Sequence, residues 1–198
     1  MKSIFIAVPV YQYAEPQCIE SIFKLVLSNS NKFHFEVRFI TGYSIDTART
    51  KAVEEFIGST CDYLLFIDGD IIADEFSFLR LIEDDKDIVS GVYNHKHIAA
   101  ETSVIFKIND GKFEAFRKSE VPNDLFEITA CGLGFCLIKR DLLLKVYNNT
   151  GKVPFRFMQK EPIDVSEDIY FCNEVARLEV PIYADGRAKV SHIGKFLY

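Results

Sequence analysis

The feature that most constrains the fold is a run of five apolar residues, Tyr63 to Ile67, that ends at Asp68-Gly69-Asp70. A run without polar alternation is typical of a strand buried on both faces, which occurs mainly in parallel sheets. Asp-Gly between apolar runs is also a hairpin signal, with Ile71-Ile72 as the start of a returning strand. The pattern along the rest of the chain decides between these two interpretations.

The order of elements in the first 70 residues favours the parallel sheet. The patterns predict strands at Ser3 to Val8, Phe33 to Ile40 and Cys61 to Ile67, and helices from Pro16 to about Leu27 and, after Ser44 as N-cap, from Ile45 to Ile57. This alternation is typical of a doubly wound nucleotide-binding unit. Ligands of such sheets bind beyond the carboxyl ends of the strands. Two carboxylates there indicate a hard cation and an anionic ligand such as a diphosphate.

The second half of the chain is less regular. The patterns predict a helix from Glu75 to Glu83 capped by Asp74, strands at Asp87 to Tyr93, Phe126 to Ala130, Phe135 to Lys139 and Ile182 to Ala184, a hairpin from Thr102 to Arg117 turning at Asp110-Gly111, and helices from Asp141 to Tyr147 and from Ser166 to about Leu178. We expect one domain over residues 1–198. Residues 1–95 form its nucleotide-binding half, and residues 96–198 form its acceptor-binding and catalytic half.

Composition excludes several classes of function. The chain has 198 residues and a net charge of −6, which argues against nucleic-acid or anionic-membrane binding. Its five cysteines are odd in number and lack Cys-x-x-Cys spacing, so we expect small buried hydrophobic residues in a reducing compartment. Met1 to Val10 is too short an apolar run for a signal peptide or membrane span. We therefore expect a cytoplasmic protein, in the host cytoplasm if the chain is viral.

Two short motifs in the last third carry possible chemistry. Ser166-Glu167-Asp168 opens a helix, where acids stabilise the helix dipole, and the same dipole would keep Asp168 ionised as a general base requires. Ser191-His192-Ile193-Gly194-Lys195 offers an imidazole to a metal and an ammonium to a phosphate. The alternatives are a purely stabilising helix start and an ordinary, partly buried histidine.

Three other features carry weaker signals. Arg49 lies early in the second helix. It is either a solvated arginine or one whose guanidinium donates hydrogen bonds to a phosphate or a base edge. Gly132 and Gly134 permit close backbone approach to a ligand, or simply form a turn between strands. The tract His95-Lys96-His97 has chelating spacing but no acid beside it in sequence, so it gives little support for a metal site.

Taken in order, these residues resemble the GT-A glycosyltransferases, especially small family-2-like enzymes of viruses and bacteria. The resemblance runs nearly end to end and rests on Ile6-Ala7-Val8-Pro9, Ala48-Arg49, Asp68-Gly69-Asp70, Gly132-Leu133-Gly134-Phe135, Glu167-Asp168, and His192 with Gly194 and Lys195. It implies an α/β, Rossmann-like fold with a mixed, mostly parallel sheet flanked by helices. It also implies a metal-dependent enzyme that moves a sugar from a nucleotide-diphosphate sugar to an acceptor hydroxyl.

The resemblance implies a role for each matched residue. For the donor nucleotide, Pro9 and Tyr11 would border the base, Arg49 would lie near the base or diphosphate, Asp68 and Gly69 would meet the ribose region, and Lys195 would contact a phosphate. For the cation, Mn²⁺ or Mg²⁺, the ligands would be Asp70 and His192, with Asp68 as a further candidate. For the reaction, Asp168 would take the acceptor's proton, and Glu167, Gly132 and Gly134 would hold the donor sugar or the acceptor.

Departures from the family pattern refine these expectations. The chain has no Trp and so lacks the Gln-x-x-Arg-Trp motif of processive synthases, which favours single transfers. The late His-x-Gly-Lys pattern resembles retaining relatives and Glu-Asp resembles inverting ones; we favour inversion, with UDP as the nucleotide by analogy. The alternatives are a haloacid-dehalogenase-like phosphatase using Asp68 and Asp70, a sugar-nucleotide pyrophosphorylase, for which the Gly-rich loop is lacking, and a non-catalytic sugar-nucleotide-binding module.

Overall fold

The computed structural model describes residues 1–96, 101–160 and 163–194. Its strands are β1 (Ser3–Val10), β2 (His34–Thr41), β3 (Tyr63–Ile67), β4 (Ile71–Ile72), β5 (Ile88–Val92), β6 (Thr102–Asn109), β7 (Lys112–Arg117), β8 (Leu125–Ile128), β9 (Ala130–Cys131), β10 (Phe135–Lys139), β11 (Met158–Lys160), β12 (Ile163–Val165), β13 (Ile182–Lys189) and β14 (Ser191–His192). Its α-helices are α1 (Pro16–Asn29), α2 (Ile45–Gly58), α3 (Glu75–Glu83), α4 (Arg140–Asn149) and α5 (Glu167–Ala176).

A seven-stranded mixed sheet organises the molecule, in the order β2-β1-β3-β10-β5-β13-β8. Strands β1, β2, β3, β5 and β13 run in one direction, and β10 and β8 run against them. Strand β10 comes from the second half of the sequence yet lies between β3 and β5 from the first half. The two halves therefore share one sheet, and both contribute to its edges.

Helices cover both faces of this sheet, which explains the uninterrupted apolar strands. Alternate residues of β1 enter different cores: Phe5 packs with residues of α2, α4 and α5, and Ile6 packs with residues of α1 and α3. All five residues of β3 are buried, and β1 and β3 are parallel. The predicted strand buried on both faces is confirmed; it is parallel to β1 but antiparallel to β10, so the sheet around it is mixed.

The hairpin alternative at Asp68-Gly69-Asp70 is wrong. Strand β4 does form at Ile71–Ile72, but it pairs with β14 near the end of the chain and not with β3. The Asp110-Gly111 hairpin is confirmed: β6 and β7 pair around these two residues, which have φ of 48° and 74°. A two-residue turn of this hand matches the twist of the flanking strands.

Two other predicted elements differ from the structure. The predicted strand Ile182 to Ala184 continues to Lys189, because the buried Asp185 is neutralised by Arg187 at 2.7 Å and can occupy a strand interior. The predicted strand Phe126 to Ala130 divides into β8 in the main sheet and β9 in a small sheet with β6 and β7.

Burial agrees with the expectation for the cysteines. Cys18, Cys61, Cys131, Cys136 and Cys172 are all buried, as expected of small apolar residues. Within the described ranges, no helix has the length and apolar character needed to span a membrane.

Candidate functional site

The Asp68-Gly69-Asp70 segment lies at the carboxyl edge of the main sheet, fixed by backbone hydrogen bonds. The Asp68 N–H donates to the Gly134 carbonyl at 2.9 Å, and the Glu15 N–H donates to the Gly69 carbonyl at 2.7 Å. A cavity of about 850 Å³ opens at this edge, where the β1–α1 loop, the end of β5 and the start of α5 meet. This is the position at which open α/β sheets bind their ligands.

Beneath the cavity, a buried arginine faces three carboxylates. Arg49 of α2 is only 2% exposed, and its Nη2 lies 3.1 Å from Asp68. Its Nε lies 3.4 Å from both Glu167 and Asp168, which open α5. The three carboxylates overcome the cost of burial and raise the pKa of Arg49, so the guanidinium stays charged. One cation thus joins α2, β3 and α5.

A tyrosine at the end of β5 explains the two glycines of Gly132-Leu133-Gly134. The Tyr93 hydroxyl accepts a hydrogen bond from the Gly134 N–H at 2.7 Å. A Cβ on Gly134 would stand 2.5 Å from this hydroxyl and 2.8 Å from Asp68, and one on Gly132 would stand 2.9 Å from the hydroxyl. These glycines are required by close packing against Tyr93, and burial raises the pKa of that phenol well above its usual value.

The surroundings of Asp168 raise its pKa. Its position in the first turn of α5 is confirmed, with the Ser166 hydroxyl accepting from the Ile169 N–H at 3.4 Å. Burial, opposed by Arg49 and reinforced by Glu167 and Asp68, raises the pKa of Asp168 to about 8. Burial and the neighbouring carboxylates thus act against the predicted effect of the helix dipole, which favours the ionised form.

Asp70 and His192 meet on the cavity wall through the pairing of β4 with β14. The His192 Nε2 lies 3.3 Å from Asp70, and its Nδ1 lies 2.8 Å from the Asn94 carbonyl. Because a carbonyl only accepts, Nδ1 donates to Asn94, which fixes the ring orientation and places Nε2 beside Asp70. Burial opposes ionisation of Asp70, but hydrogen bonds from His192 and Lys96 outweigh it and lower the pKa of Asp70.

Of the three predicted metal ligands, Asp70 and His192 lie side by side, and Asp68 pairs with Arg49. Asp70 and His192 place a carboxylate and an oriented imidazole side by side, which suits Mn²⁺ and, through the carboxylate, Mg²⁺. Asp68 is held by Arg49 instead. Across the described part of the chain, no three His, Cys, Asp or Glu side chains form a metal cluster. The full three-residue ligand set is therefore not assembled in this structure.

The structure brings most of the predicted site residues to one cavity. Its walls include Pro9, Tyr11, Asp68, Gly69, Asp70, Gly132, Asp168 and His192. Three others face elsewhere: Arg49 and Glu167 are buried against each other, and Gly134 packs under Tyr93. Contacts of Arg49 with a nucleotide, and of Glu167 and Gly134 with a sugar, stay predictions. Lys195 lies outside the described residues, as does His97 of the His95-Lys96-His97 tract.

Two residues that line the cavity received no role or little weight in the sequence analysis. Tyr93 directly follows β5. Asp68 was singled out because ligands bind beyond the carboxyl ends of strands, and the same rule applies to Tyr93. Lys96 contacts Asp70, so the 95–97 tract does have an acidic neighbour, supplied by a distant part of the chain. No local pattern signals that contact.

Comparisons with known proteins support the fold. No family model and no curated protein matches the chain. Among solved structures, the chain is similar to the crystal structure of A197 from STIV, with 21% identity and a TM-score of 0.62. The alignment covers 98% of this chain and 87% of that one. The likeness extends over the whole α/β architecture and, at this identity, carries the fold alone.

Proposed function

We propose that the protein is a metal-dependent glycosyltransferase of the GT-A type, transferring a sugar from a nucleotide-diphosphate sugar, with UDP the favoured nucleotide, to an acceptor hydroxyl. The observation that carries the proposal is the common cavity of Asp70, His192 and Asp168 at the carboxyl edge of the sheet. A cation-binding pair and a buried carboxyl group on the walls of one cavity suit a reaction with an anionic leaving group and a proton to remove.

The β1–α1 loop supplies a surface for the nucleotide base. Tyr11 and Tyr13 line the cavity with Pro9 and are largely exposed. Flat aromatic rings at a cavity mouth offer stacking surfaces to a heterocyclic base. Asp68 lines the same cavity, and in this proposal its carboxylate accepts from a ribose hydroxyl.

Asp168 is the proposed general base. The acceptor oxygen attacks the anomeric carbon, the bond from that carbon to the diphosphate oxygen breaks, and the diphosphate leaves with the electron pair. The acceptor proton passes to the Asp168 carboxylate, and attack opposite the leaving group inverts the anomeric centre. A base with a pKa near the working pH combines a sufficient deprotonated fraction with basicity.

Around this reaction, the chain's own residues bind and orient. Asp70 and His192 would hold the divalent cation, which supplies Lewis-acid stabilisation of the leaving diphosphate when bound. Arg49 is a positioning residue: it holds Asp168 through its Nε and Asp68 through its Nη2. Glu167 shares this guanidinium and fixes the start of α5.

The alternatives are less consistent with these contacts. A phosphatase of the haloacid-dehalogenase type needs Asp68 as a free nucleophile, whereas its carboxylate is paired with Arg49. A non-catalytic binding module gives no reason to keep a buried acid such as Asp168 against the cavity.

Substitution of Asp168 by Asn tests the proposed reaction. UDP released from a panel of UDP-sugars would measure turnover, with calorimetric UDP binding measured in parallel. We expect Asp168→Asn to keep UDP affinity within about threefold and to lose at least about 100-fold in turnover. Asp141→Asn is the matched control, because Asp141 is an acid in the first turn of α4 away from the cavity. Unchanged turnover in Asp168→Asn would remove Asp168 as the base.

A further inference from the structure

The charge on the cavity wall is unfavourable for a diphosphate. Its lining includes the carboxylates of Glu15, Asp68, Asp70 and Asp168. Among the described lining residues, Lys96 is the one side chain with a permanent positive charge, since Arg49 lies beneath the wall. An anionic ligand therefore requires added positive charge, and Lys96 supplies it among the described residues of the cavity wall.

Lys96 forms an ion pair with Asp70, on the carboxylate that also faces His192. Its side chain is 50% exposed, so the ammonium is solvated and the four-carbon stem can reorient at small cost. A lysine ammonium and a divalent cation compete for the same oxygens, and the divalent charge gains more from them.

We propose that Lys96 acts as an exchangeable counter-ion: it neutralises Asp70 in the cation-free protein, leaves that carboxylate when a divalent cation binds, and then binds the diphosphate. This inference rests on the proposed function, because it assigns a further ligand-binding residue to the same site. It links the two binding events: Lys96 opposes the cation before the diphosphate arrives and holds the diphosphate afterwards.

The two roles predict opposite effects of one substitution. Lys96→Met keeps the stem and removes the charge. We expect it to bind Mn²⁺ alone on the order of tenfold more tightly, because the competing charge is gone. We also expect it to bind inorganic pyrophosphate and UDP, with Mn²⁺ saturating, on the order of tenfold more weakly, because a charge-assisted hydrogen bond is lost.

Two further variants separate this role from a structural one. Lys96→Arg restores the charge and should recover most of the pyrophosphate affinity. Lys51→Met is the matched control, since Lys51 is similarly exposed at 45% and pairs with Glu54 outside the cavity. It should leave both affinities unchanged. Mn²⁺ binding is read by electron paramagnetic resonance and pyrophosphate binding by calorimetry.

Each outcome bears on the inference. Unchanged Mn²⁺ affinity in Lys96→Met would overturn the counter-ion role, and unchanged pyrophosphate affinity would overturn the diphosphate role. If the wild type binds Mn²⁺ but neither pyrophosphate nor UDP, the proposed function fails. In that case, tighter Mn²⁺ binding by Lys96→Met would still support the counter-ion role. A wild type that binds no Mn²⁺ would overturn the whole inference.

Discussion

At position 49, one guanidinium lies against three carboxylates in a buried setting. Its Nη1 is buried without a hydrogen-bond partner among the described residues, so the site is held by charge more than by complete hydrogen bonding. The Phe66 ring also stabilises the charge of Arg49, because the guanidinium carbon lies over the ring face, 5.3 Å from its centre. Arg49 therefore stabilises the fold and the site through the same contacts.

Removing the charge of Arg49 should destabilise the fold. Arg49→Met leaves Asp68, Glu167 and Asp168 facing one another without a cation, and we expect it to lower the free energy of unfolding by about 3–5 kcal/mol at neutral pH. Arg38→Met is the control, because Arg38 is half exposed and pairs with Glu36 on the surface, where a loss under about 1 kcal/mol is expected. Denaturant unfolding measures both. A loss under 1 kcal/mol for Arg49→Met would contradict this account.

The sequence could not reveal this cluster. Arg49 and Glu167 are 118 residues apart, and an arginine on a helix is most often solvated, so no local pattern distinguished this one. Asp68 and Asp70 were predictable because they follow a strongly apolar strand, and strand ends are where such sheets bind ligands. The pairing of Asp68 with Arg49 was not predictable for the same long-range reason, and the role of Asp68 as a metal ligand stays a prediction.

At the scale of elements, the start of α5 sets two opposing influences on Asp168. The helix dipole favours the ionised form, and burial beside Glu167 and Asp68 favours the neutral form. Burial prevails and raises the pKa to about 8. The proposed base in the first turn of α5 should therefore become more active as the pH rises.

This predicts the pH dependence of transfer. Because the base must lose its proton, kcat/KM should rise with pH and level off above about pH 8, near the pKa of Asp168 in the free protein. An assay from pH 5 to pH 9.5 with a responsive donor would test this. An acidic limb near pH 4, the ordinary carboxyl range, would contradict the raised pKa.

Elements with strong local signals were predictable from sequence, and elements held by distant partners were not. Helix α3 has its predicted bounds, with the Asp74 carboxylate accepting from the Ser77 N–H at 2.8 Å. Ser44 is at the N-cap of α2 as predicted, yet its hydroxyl donates to Asp46 and does not cap a backbone N–H. The extension of β13 through Asp185 depends on Arg187 and carries no apolar pattern.

For the whole molecule, the buried acids Asp84 and Asp185 couple folding to pH. Asp84 after α3 and Asp185 in β13 lie beside Arg187, which also pairs with Asp124, and Lys86 adds a nearby positive charge. Burial and the charge of Asp185 raise the pKa of Asp84 from 3.8 to about 6. Burial opposes ionisation of Asp185, but the contacts with Arg187 outweigh it and lower that pKa.

This pair predicts a stability profile. Between about pH 4 and 6 the folded chain keeps a proton on Asp84 that the unfolded chain releases, so the contribution of Asp84 to stability falls as the pH rises. Asp185 contributes stability above the ordinary carboxyl range and loses it at lower pH. We expect Asp84→Asn to remove the decline and to be more stable than the wild type at pH 7. Urea unfolding from pH 4 to 7.5 tests this; the same decline in Asp84→Asn would contradict it.

The central claim is that the cavity binds a nucleotide diphosphate through a divalent cation held by Asp70 and His192. The most direct test is calorimetric titration of UDP, and then GDP, into the protein with Mn²⁺ and again with EDTA. Repeating it with Asp70→Asn and with Asp141→Asn as control assigns the effect to the site. The account predicts binding of one nucleotide with Mn²⁺, lost with EDTA and in Asp70→Asn. No binding with Mn²⁺, or equal binding in EDTA, would contradict it.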